Sequence, residues 1–231
     1  MDKKDLQNPA LYTNRELSWL LFNKRVLSEA RDKQLLLFER LKFLSITASN
    51  LDEFFMVRIG SLVDMIHAEY TKKDIAGMSA KEQLDALMEE THKFAALQYS
   101  TYNRMLLPQL RANGLNFVEH HEQLTERQAQ YVDEYFEENV YPVLTPMAVD
   151  SSRPFPLIRN KTLNIGALVA KKGEKDTEIE FATVQVPSVL PRVVRIPAAK
   201  EGDTEVAVLL LEEIIERNIG KLFLSNDVVC A

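Results

Sequence analysis

Hydrophobic residues recur every three or four positions through the first half of the chain, which is the spacing of amphipathic helices. The pattern predicts helices over 15–30, about 34–48, about 51–72 and about 80–113. Asn113-Gly114 is a strong stop signal, because glycine readily adopts the left-handed conformation that ends helices. Four helices with short connections favour an up-and-down helical bundle covering residues 1–114.

The periodicity changes after Gly114, where short segments alternate between apolar and polar residues or stay apolar over the length of a strand. Strands are predicted at 115–118, 163–170, 179–186 and 193–196, and residues 141–149 are predicted to be extended. A capping box from Thr125 to Gln128 opens a helix to about Val140, and a last helix is predicted over 208–218. The predicted fold class is α + (α+β), a helical bundle followed by a small α+β head domain at 115–231.

A sharp corner is predicted at Ser49-Asn50, where the second helix gives way to the third. Asn50 fits a helix N-cap, with Glu53 three residues later reaching back to the cap. The corner displays Asn50, Asp52 and Arg58. Two interpretations of Asn50 stay open. It is a helix cap alone, or it is also a ligand contact, because its amide offers a donor and an acceptor that match the edge of adenine.

Composition narrows the class of protein. The chain has 231 residues, of which 46% are hydrophobic and 27% charged, as in ordinary globular proteins. Charges interrupt every apolar stretch, so no transmembrane segment is predicted. A net charge of −6 argues against non-specific binding of nucleic acid. The single cysteine, Cys230, excludes an internal disulfide and fits the cytoplasm.

Motif searches identify no catalytic residue and no metal ligand in the sequence. The P-loop pattern and the protein-kinase signatures are absent, and one cysteine with four scattered histidines cannot build a zinc site. The pair His120-His121 is interpreted as a solvated loop. Ser151-Ser152 precedes Pro154 and is interpreted as a turn.

Three further sets of candidates have both a structural and a functional interpretation. Trp19, Phe22, Phe54 and Phe55 lie at helical spacing and are predicted to be core rather than a platform for bases. Arg58 either reaches a phosphate or forms an ion pair with Asp52 or a neighbouring helix. The basic residues of the head domain either line the path of a polyanion or lie on a solvated face, which is the favoured interpretation (Arg153, Arg159, Lys161, Lys171 and Lys172).

Three segments together resemble the polyphosphate kinase family. They are RELSWLLFNKRVLSEA (Arg15–Ala30), SNLDEF (Ser49–Phe54) and PVLTPMAVDSSRPFPLIRNKTLNIGALV (Pro142–Val169). The resemblance implies an enzyme that reversibly transfers the γ-phosphate of ATP to inorganic polyphosphate through a phosphohistidine, releasing ADP. It also implies that Asn50 contacts the ATP base, and that the head domain resembles a phox-homology-type fold and takes part in a homodimer or higher homo-oligomer.

The same resemblance places the phosphorylated histidine and the catalytic arginines in two phospholipase-D-like domains that follow this region in the family. Mg²⁺ is expected in the complete enzyme, with no ligands from this chain. Since Val228–Ala231 looks like the start of another strand, the chain is expected to be the N-terminal part of a longer protein and inactive by itself. The alternative is a free-standing, non-catalytic binding or assembly module. The expected location is the cytoplasm, with peripheral membrane association as a further option.

Overall fold

The structure is a computed structural model that describes residues 5–149, 155–173 and 179–231. The chain divides into two compact units, Met1–Leu110 and Arg111–Ala231. The first unit is helical, and the second combines helices with two sheets. The predicted class of helices followed by an α+β region is confirmed at this level.

Long helices with short breaks build the first unit. Helix α1 covers Arg15–Arg31, α2 covers Leu37–Phe54, α3 covers Gly60–His67 and α4 covers Ala80–Thr101. A π turn at Phe55–Ile59 joins α2 to α3 without a break in the helical path. A second π turn, Tyr102–Leu106, joins α4 to α5 (Leu107–Ala112). Pro108 is the second residue after this turn, and its missing N–H removes a helical hydrogen bond there.

Three continuous helical paths therefore replace the four predicted helices in the described part of the first unit. The predicted corner at Ser49-Asn50 is wrong, since α2 continues through both residues to Phe54. No glycine or proline occurs between Leu37 and Ile59, and the apolar stripe continues across the expected break. Packing of that stripe outweighs the capping preference of a single asparagine.

Side-chain caps fix where two of these helices begin. Asn14 Oδ1 accepts hydrogen bonds from the backbone N–H groups of Glu16 and Leu17 at the start of α1. Ser79 and Glu82 form a reciprocal capping box at the start of α4. The helices bury two groups of apolar side chains, one around Leu20, Phe54, Leu62 and Leu87 and the other around Leu27, Leu44, Phe94 and Leu106.

The second unit contains two sheets and two helices among its described residues. Its strands are β1 (Leu115–Phe117), β2 (Pro146–Val149), β3 (Asn164–Lys171), β4 (Glu180–Gln185), β5 (Val193–Ile196), β6 (Val206–Leu210) and β7 (Asn226–Cys230). The orders are β1-β6-β5 and β2-β4-β3-β7. Helix α6 covers Glu126–Tyr135 and ends in a π turn, Phe136–Val140, and α7 covers Leu211–Arg217. One core lies under both sheets, with Phe136, Leu209 and Ile214 completely buried.

Most of the predicted strands are confirmed in the second unit, as is the capping box of Thr125 and Gln128. The predicted helix over 208–218 is partly wrong, because its first three residues belong to β6 and the helix begins only at Leu211. Strand β6 pairs in parallel with β1 and antiparallel with β5. The parallel pairing with β1 is non-local, so the spacing of apolar residues within the segment did not reveal it.

Candidate functional site

Asn50 lies inside α2, four residues before its end, and does not cap a helix. The cap interpretation is therefore wrong, and Asp52 and Glu53 are not first-turn residues. Instead the Asn50 amide Nδ2 donates a hydrogen bond to Asn23 Oδ1 on α1, at 3.0 Å. The amide thus has a tertiary partner in place of the local one that the sequence suggested.

A buried polar network fixes the orientation of the Asn50 amide. Asn23 has no exposed surface, and its Nδ2 donates to the backbone carbonyl of Thr47 at 3.1 Å. Because that carbonyl can only accept, the oxygen of Asn23 must point toward Asn50, and Asn50 must present its nitrogen. Gln98 Nε2 extends the network by donating to Thr47 Oγ1 at 2.9 Å, so α1, α2 and α4 all contribute.

A small cleft of ≈ 210 Å³ opens next to this network. Its walls are Trp19 from α1, Asn50, Glu53 and Phe54 from α2, and Val57 and Arg58 from the π turn. The indole of Trp19 stacks on the Phe54 ring, with centroids 4.5 Å apart and planes inclined by 10°. The cleft therefore combines an aromatic wall, an amide with a fixed orientation, one carboxylate and one guanidinium.

The prediction that all four aromatic residues are core is only partly confirmed. Phe54 is buried, and the half-buried Trp19 packs against the core around Leu20. Phe22 and Phe55 are exposed, so their prediction is wrong. Phe22 lies three residues after Trp19, but α1 buries the line through Leu20, Asn23 and Leu27. The narrow buried face of α1 leaves Phe22 outside it.

Arg58 forms an ion pair with a neighbouring helix, as one of its interpretations predicted. Its Nε lies 3.8 Å from Glu16 Oε2 on α1. The other carboxylate oxygen of Glu16 accepts a hydrogen bond from Arg15 Nη2 at 2.6 Å. Glu16 is only 7% exposed, and it therefore holds two guanidinium groups beside the cleft.

The remaining candidates do not assemble into a reactive site. His121 donates its backbone N–H to Glu213 Oε2, and His120 Nδ1 lies 3.7 Å from Glu213 Oε1. The basic residues Arg159, Lys161, Lys171 and Lys172 are exposed, and Lys172 donates to the carbonyl of Leu224. The predictions for Ser151-Ser152 and Arg153 concern residues outside those described.

Two searches over the described residues gave negative results. No group of three or more histidine, cysteine, aspartate and glutamate side chains is arranged to hold a metal ion. None of the helices described combines the length and the apolar character needed to cross a bilayer.

Sequence reasoning missed Asn23, although the signal was present. Asn23 lies three residues after Leu20 and four before Leu27, so it occupies a core position on the buried face of α1. A buried asparagine needs hydrogen-bond partners. An asparagine within an apolar stripe therefore indicates a polar side chain on the opposing helix, and here that side chain is Asn50.

Comparison with known proteins matches both units. A family model described as the polyphosphate kinase N-terminal domain matches residues 12–118. A second, the polyphosphate kinase middle domain, matches residues 127–231. The chain is 50% identical over 217 residues to the polyphosphate kinase of Lactiplantibacillus plantarum, covering 94% of this chain and 29% of that protein. It is 46% identical over 220 residues to the polyphosphate kinase of Halalkalibacterium halodurans, covering 95% of this chain and 30% of that protein.

A solved structure has a similar fold. The crystal structure of polyphosphate kinase from Porphyromonas gingivalis superimposes with a TM-score of 0.81 at 30% sequence identity. The match covers 94% of this chain and 31% of that one. The chain thus spans about 30% of the length of the relatives that it matches.

Proposed function

Since the chain belongs to the polyphosphate kinase family, of which it carries the N-terminal and middle domains, we propose that it supplies the ATP-base site of a polyphosphate kinase. The complete enzyme would transfer the γ-phosphate of ATP reversibly to inorganic polyphosphate through a phosphohistidine. In this proposal the cleft around Asn50 receives the adenine. The groups that carry out the transfer belong to the part of the family's length that this chain does not span.

The orientation of the Asn50 amide carries the proposal. One N–H of Nδ2 is used by Asn23, which leaves one N–H for a ligand. No described residue donates a hydrogen bond to Oδ1 of Asn50. One donor and one acceptor therefore remain side by side at the cleft. They complement the ring nitrogen and the exocyclic amine of adenine.

The surroundings of the amide also suit a purine. Trp19 offers a planar apolar wall, and stacking of a base on an aromatic ring contributes about 1–3 kcal/mol. Because Asn23 already holds the amide in place, little side-chain entropy is lost when a ligand binds. The neighbouring Arg58 adds positive charge close to an anionic nucleotide.

The test compares two nucleotides in the complete enzyme, ATP and purine riboside triphosphate, which lacks the exocyclic amine. The wild type should prefer ATP in kcat/KM, and Asn50→Ala should lose that preference by roughly 10- to 100-fold, as expected for one or two lost hydrogen bonds. Most of the change should appear in KM, since the base is remote from the transferred phosphate. Asn103→Ala, an exposed asparagine of the same unit, is the matched control.

A folding defect gives a different result from a recognition defect in this comparison. If Asn50→Ala only damages the fold, both nucleotides lose activity by the same factor and their ratio stays at the wild-type value. That outcome would contradict the proposed contact between Asn50 and adenine.

Further parts of the proposal follow from the family. Mg²⁺ is expected to act in the complete enzyme with ligands outside this chain, and the chain alone is expected to transfer no phosphate. The second unit is proposed to contribute to a homodimer or higher homo-oligomer, and its likeness to a phox-homology-type fold stays a prediction. The exposed free thiol of Cys230 is compatible with the proposed cytoplasmic location.

A further inference from the structure

A second and larger cleft, of ≈ 500 Å³, lies in the first unit next to the cleft of Asn50. It is bounded by the start of α1, by α3 and by the segment Tyr70–Ile75 that follows α3. Four basic side chains line it: Arg15, Arg58, Lys72 and Lys73. Arg58 lines both clefts. This concentration of positive charge contrasts with the net charge of −6 of the whole chain.

Two acidic residues also line this basic cleft. Glu16 pairs with Arg15 and Arg58, whereas Asp74 is held by hydrogen bonds to other parts of the unit. Asp74 accepts hydrogen bonds at both carboxylate oxygens, from Asn14 Nδ2 at 2.8 Å and from the backbone N–H of Met78 at 2.7 Å. Asn14 is only 3% exposed. It joins Asp74 to Gln83 Oε1 through a second hydrogen bond of 2.8 Å. The hydrogen bond from the buried Asn14 to Asp74 therefore connects the loop after α3 to the start of α1.

Lys72 and Lys73 are exposed and line the cleft, and the charge of Lys73 also contributes to lowering the pKa of the Glu82 carboxylate, after the hydrogen bonds from Ser79. The backbone before them is fixed. Glu69 adopts a left-handed conformation with φ of 52°, and the N–H of Tyr70 donates to the carbonyl of Met65 at 2.9 Å. The N–H of Asp74 donates to the carbonyl of Met78 on the other side. A constrained loop therefore carries two adjacent lysines along one wall of the cleft.

We propose that this basic cleft binds a chain of linked phosphates, as a site separate from the base cleft of Asn50. Basic side chains on three segments of the unit line the cleft, so an extended polyanion can contact several of them through different phosphates. Arginine and lysine are the residues that proteins use for phosphate. The choice of inorganic polyphosphate as the natural ligand rests on the proposed function, but the anion site itself does not.

The test uses two double variants of the 231-residue chain with the same change in charge. Lys72→Ala/Lys73→Ala removes the two exposed lysines of the cleft. Lys33→Ala/Lys42→Ala removes two exposed lysines of the same unit that do not line it. Each variant is titrated calorimetrically with sodium tripolyphosphate at low and at physiological ionic strength, after circular dichroism has confirmed an unchanged melting curve.

We expect the cleft variant to bind tripolyphosphate about 25-fold more weakly at low ionic strength, since each of the two lysine contacts in water is worth about a fivefold factor. The difference should shrink as salt rises. The control variant should bind like the wild type. Glu16→Gln should change affinity in the opposite direction and bind several-fold more tightly, because it releases Arg15 and Arg58 from their shared carboxylate.

A second measurement locates the site in the complete enzyme. Tripolyphosphate should protect Lys72 and Lys73, and not Lys33, from acetylation by acetic anhydride as read by mass spectrometry. Equal loss of affinity in both double variants, or absence of protection, would overturn the proposal. If ATP binds at these lysines and tripolyphosphate does not, the lysines contact the triphosphate group of ATP. The proposal of a separate polyphosphate site would then be wrong. None of these outcomes bears on the base selectivity of Asn50.

Discussion

Replacing Asn50 by aspartate tests the hydrogen-bond network directly, because the two side chains have nearly the same shape. Asparagine donates an N–H to Asn23 Oδ1 at 3.0 Å, whereas an ionised carboxylate can only accept. The carboxylate of the variant would then face Asn23 Oδ1, which is also an acceptor and belongs to a fully buried residue. Asn23 cannot rotate its amide to compensate without losing its bond to the carbonyl of Thr47.

The expected loss of stability follows from that geometry. Leaving a buried polar group without its partner costs about 1–3 kcal/mol. For a chain of this size, 1 kcal/mol shifts the melting temperature by about 2–4 °C. A loss of about 2 kcal/mol should therefore lower the melting temperature of Asn50→Asp by about 4–8 °C at pH 7. Asn103→Asp, which makes the same chemical change at an exposed position, should leave it nearly unchanged.

The pH dependence separates this mechanism from a general effect of added charge. A protonated carboxyl group can donate to Asn23, so the neutral form is favoured and the pKa of the introduced group rises above its ordinary value of about 3.9. A raised pKa in the folded state means that the deficit is complete at neutral pH and shrinks as the pH falls through the raised value. The measurement is the melting temperature of the variant minus that of the wild type, determined once at pH 7 and once at pH 4. The difference should be smaller at pH 4.

A melting temperature of Asn50→Asp equal to that of Asn103→Asp would refute the network. It would mean that the hydrogen bond between the Asn50 amide and Asn23 does not stabilise the fold. A double-mutant cycle with Asn50→Ala and Asn23→Ala provides an independent value, with an expected coupling of about 1 kcal/mol between the two amides.

Two further substitutions test other parts of the structure. Trp19→Ala should destabilise the protein by about 2–3 kcal/mol through the lost packing on Phe54, whereas Phe22→Ala on the exposed side of the same helix should be nearly neutral in a urea titration. In the second unit, the Arg217 guanidinium, bonded at 2.8 and 3.0 Å, holds the pKa of Asp133 below its ordinary 3.8. The stabilisation that goes with the lowered pKa is present at neutral pH and is lost as the pH falls through the folded pKa. Asp133→Asn should therefore lower the melting temperature at pH 7, and its deficit from wild type should shrink progressively as the pH falls below about 4.

Local signals in the sequence predicted the structure where local contacts decide it. The capping box at Thr125 lies where it was predicted, because its hydrogen bonds join residues three positions apart. The strand at 206–210 was missed because one of its partners, the parallel strand β1, lies far earlier in the chain. Asn50 was misplaced for the same reason, since the residue that holds it lies 27 positions earlier.

The candidate site was predicted in part. Asn50 and Arg58 were identified as candidates, and they do line one cleft together with Trp19. The basic cleft was not predicted, because its side chains come from positions 15, 58, 72 and 73, and no short motif contains them. Only the packing of α1 against the path through α2 and α3 brings these charges together.

The π turn at Phe55–Ile59 restricts how the length of this region can change during evolution. Each residue of a helix advances its direction by about 100°, so a single deletion in the turn would restore regular α-helical bonding but rotate everything after it. Leu62, which is 5% exposed, would swing away from Phe54 and out of the core. Insertions and deletions between Asn50 and Leu62 should therefore be disruptive, and aligned relatives should keep this interval free of gaps.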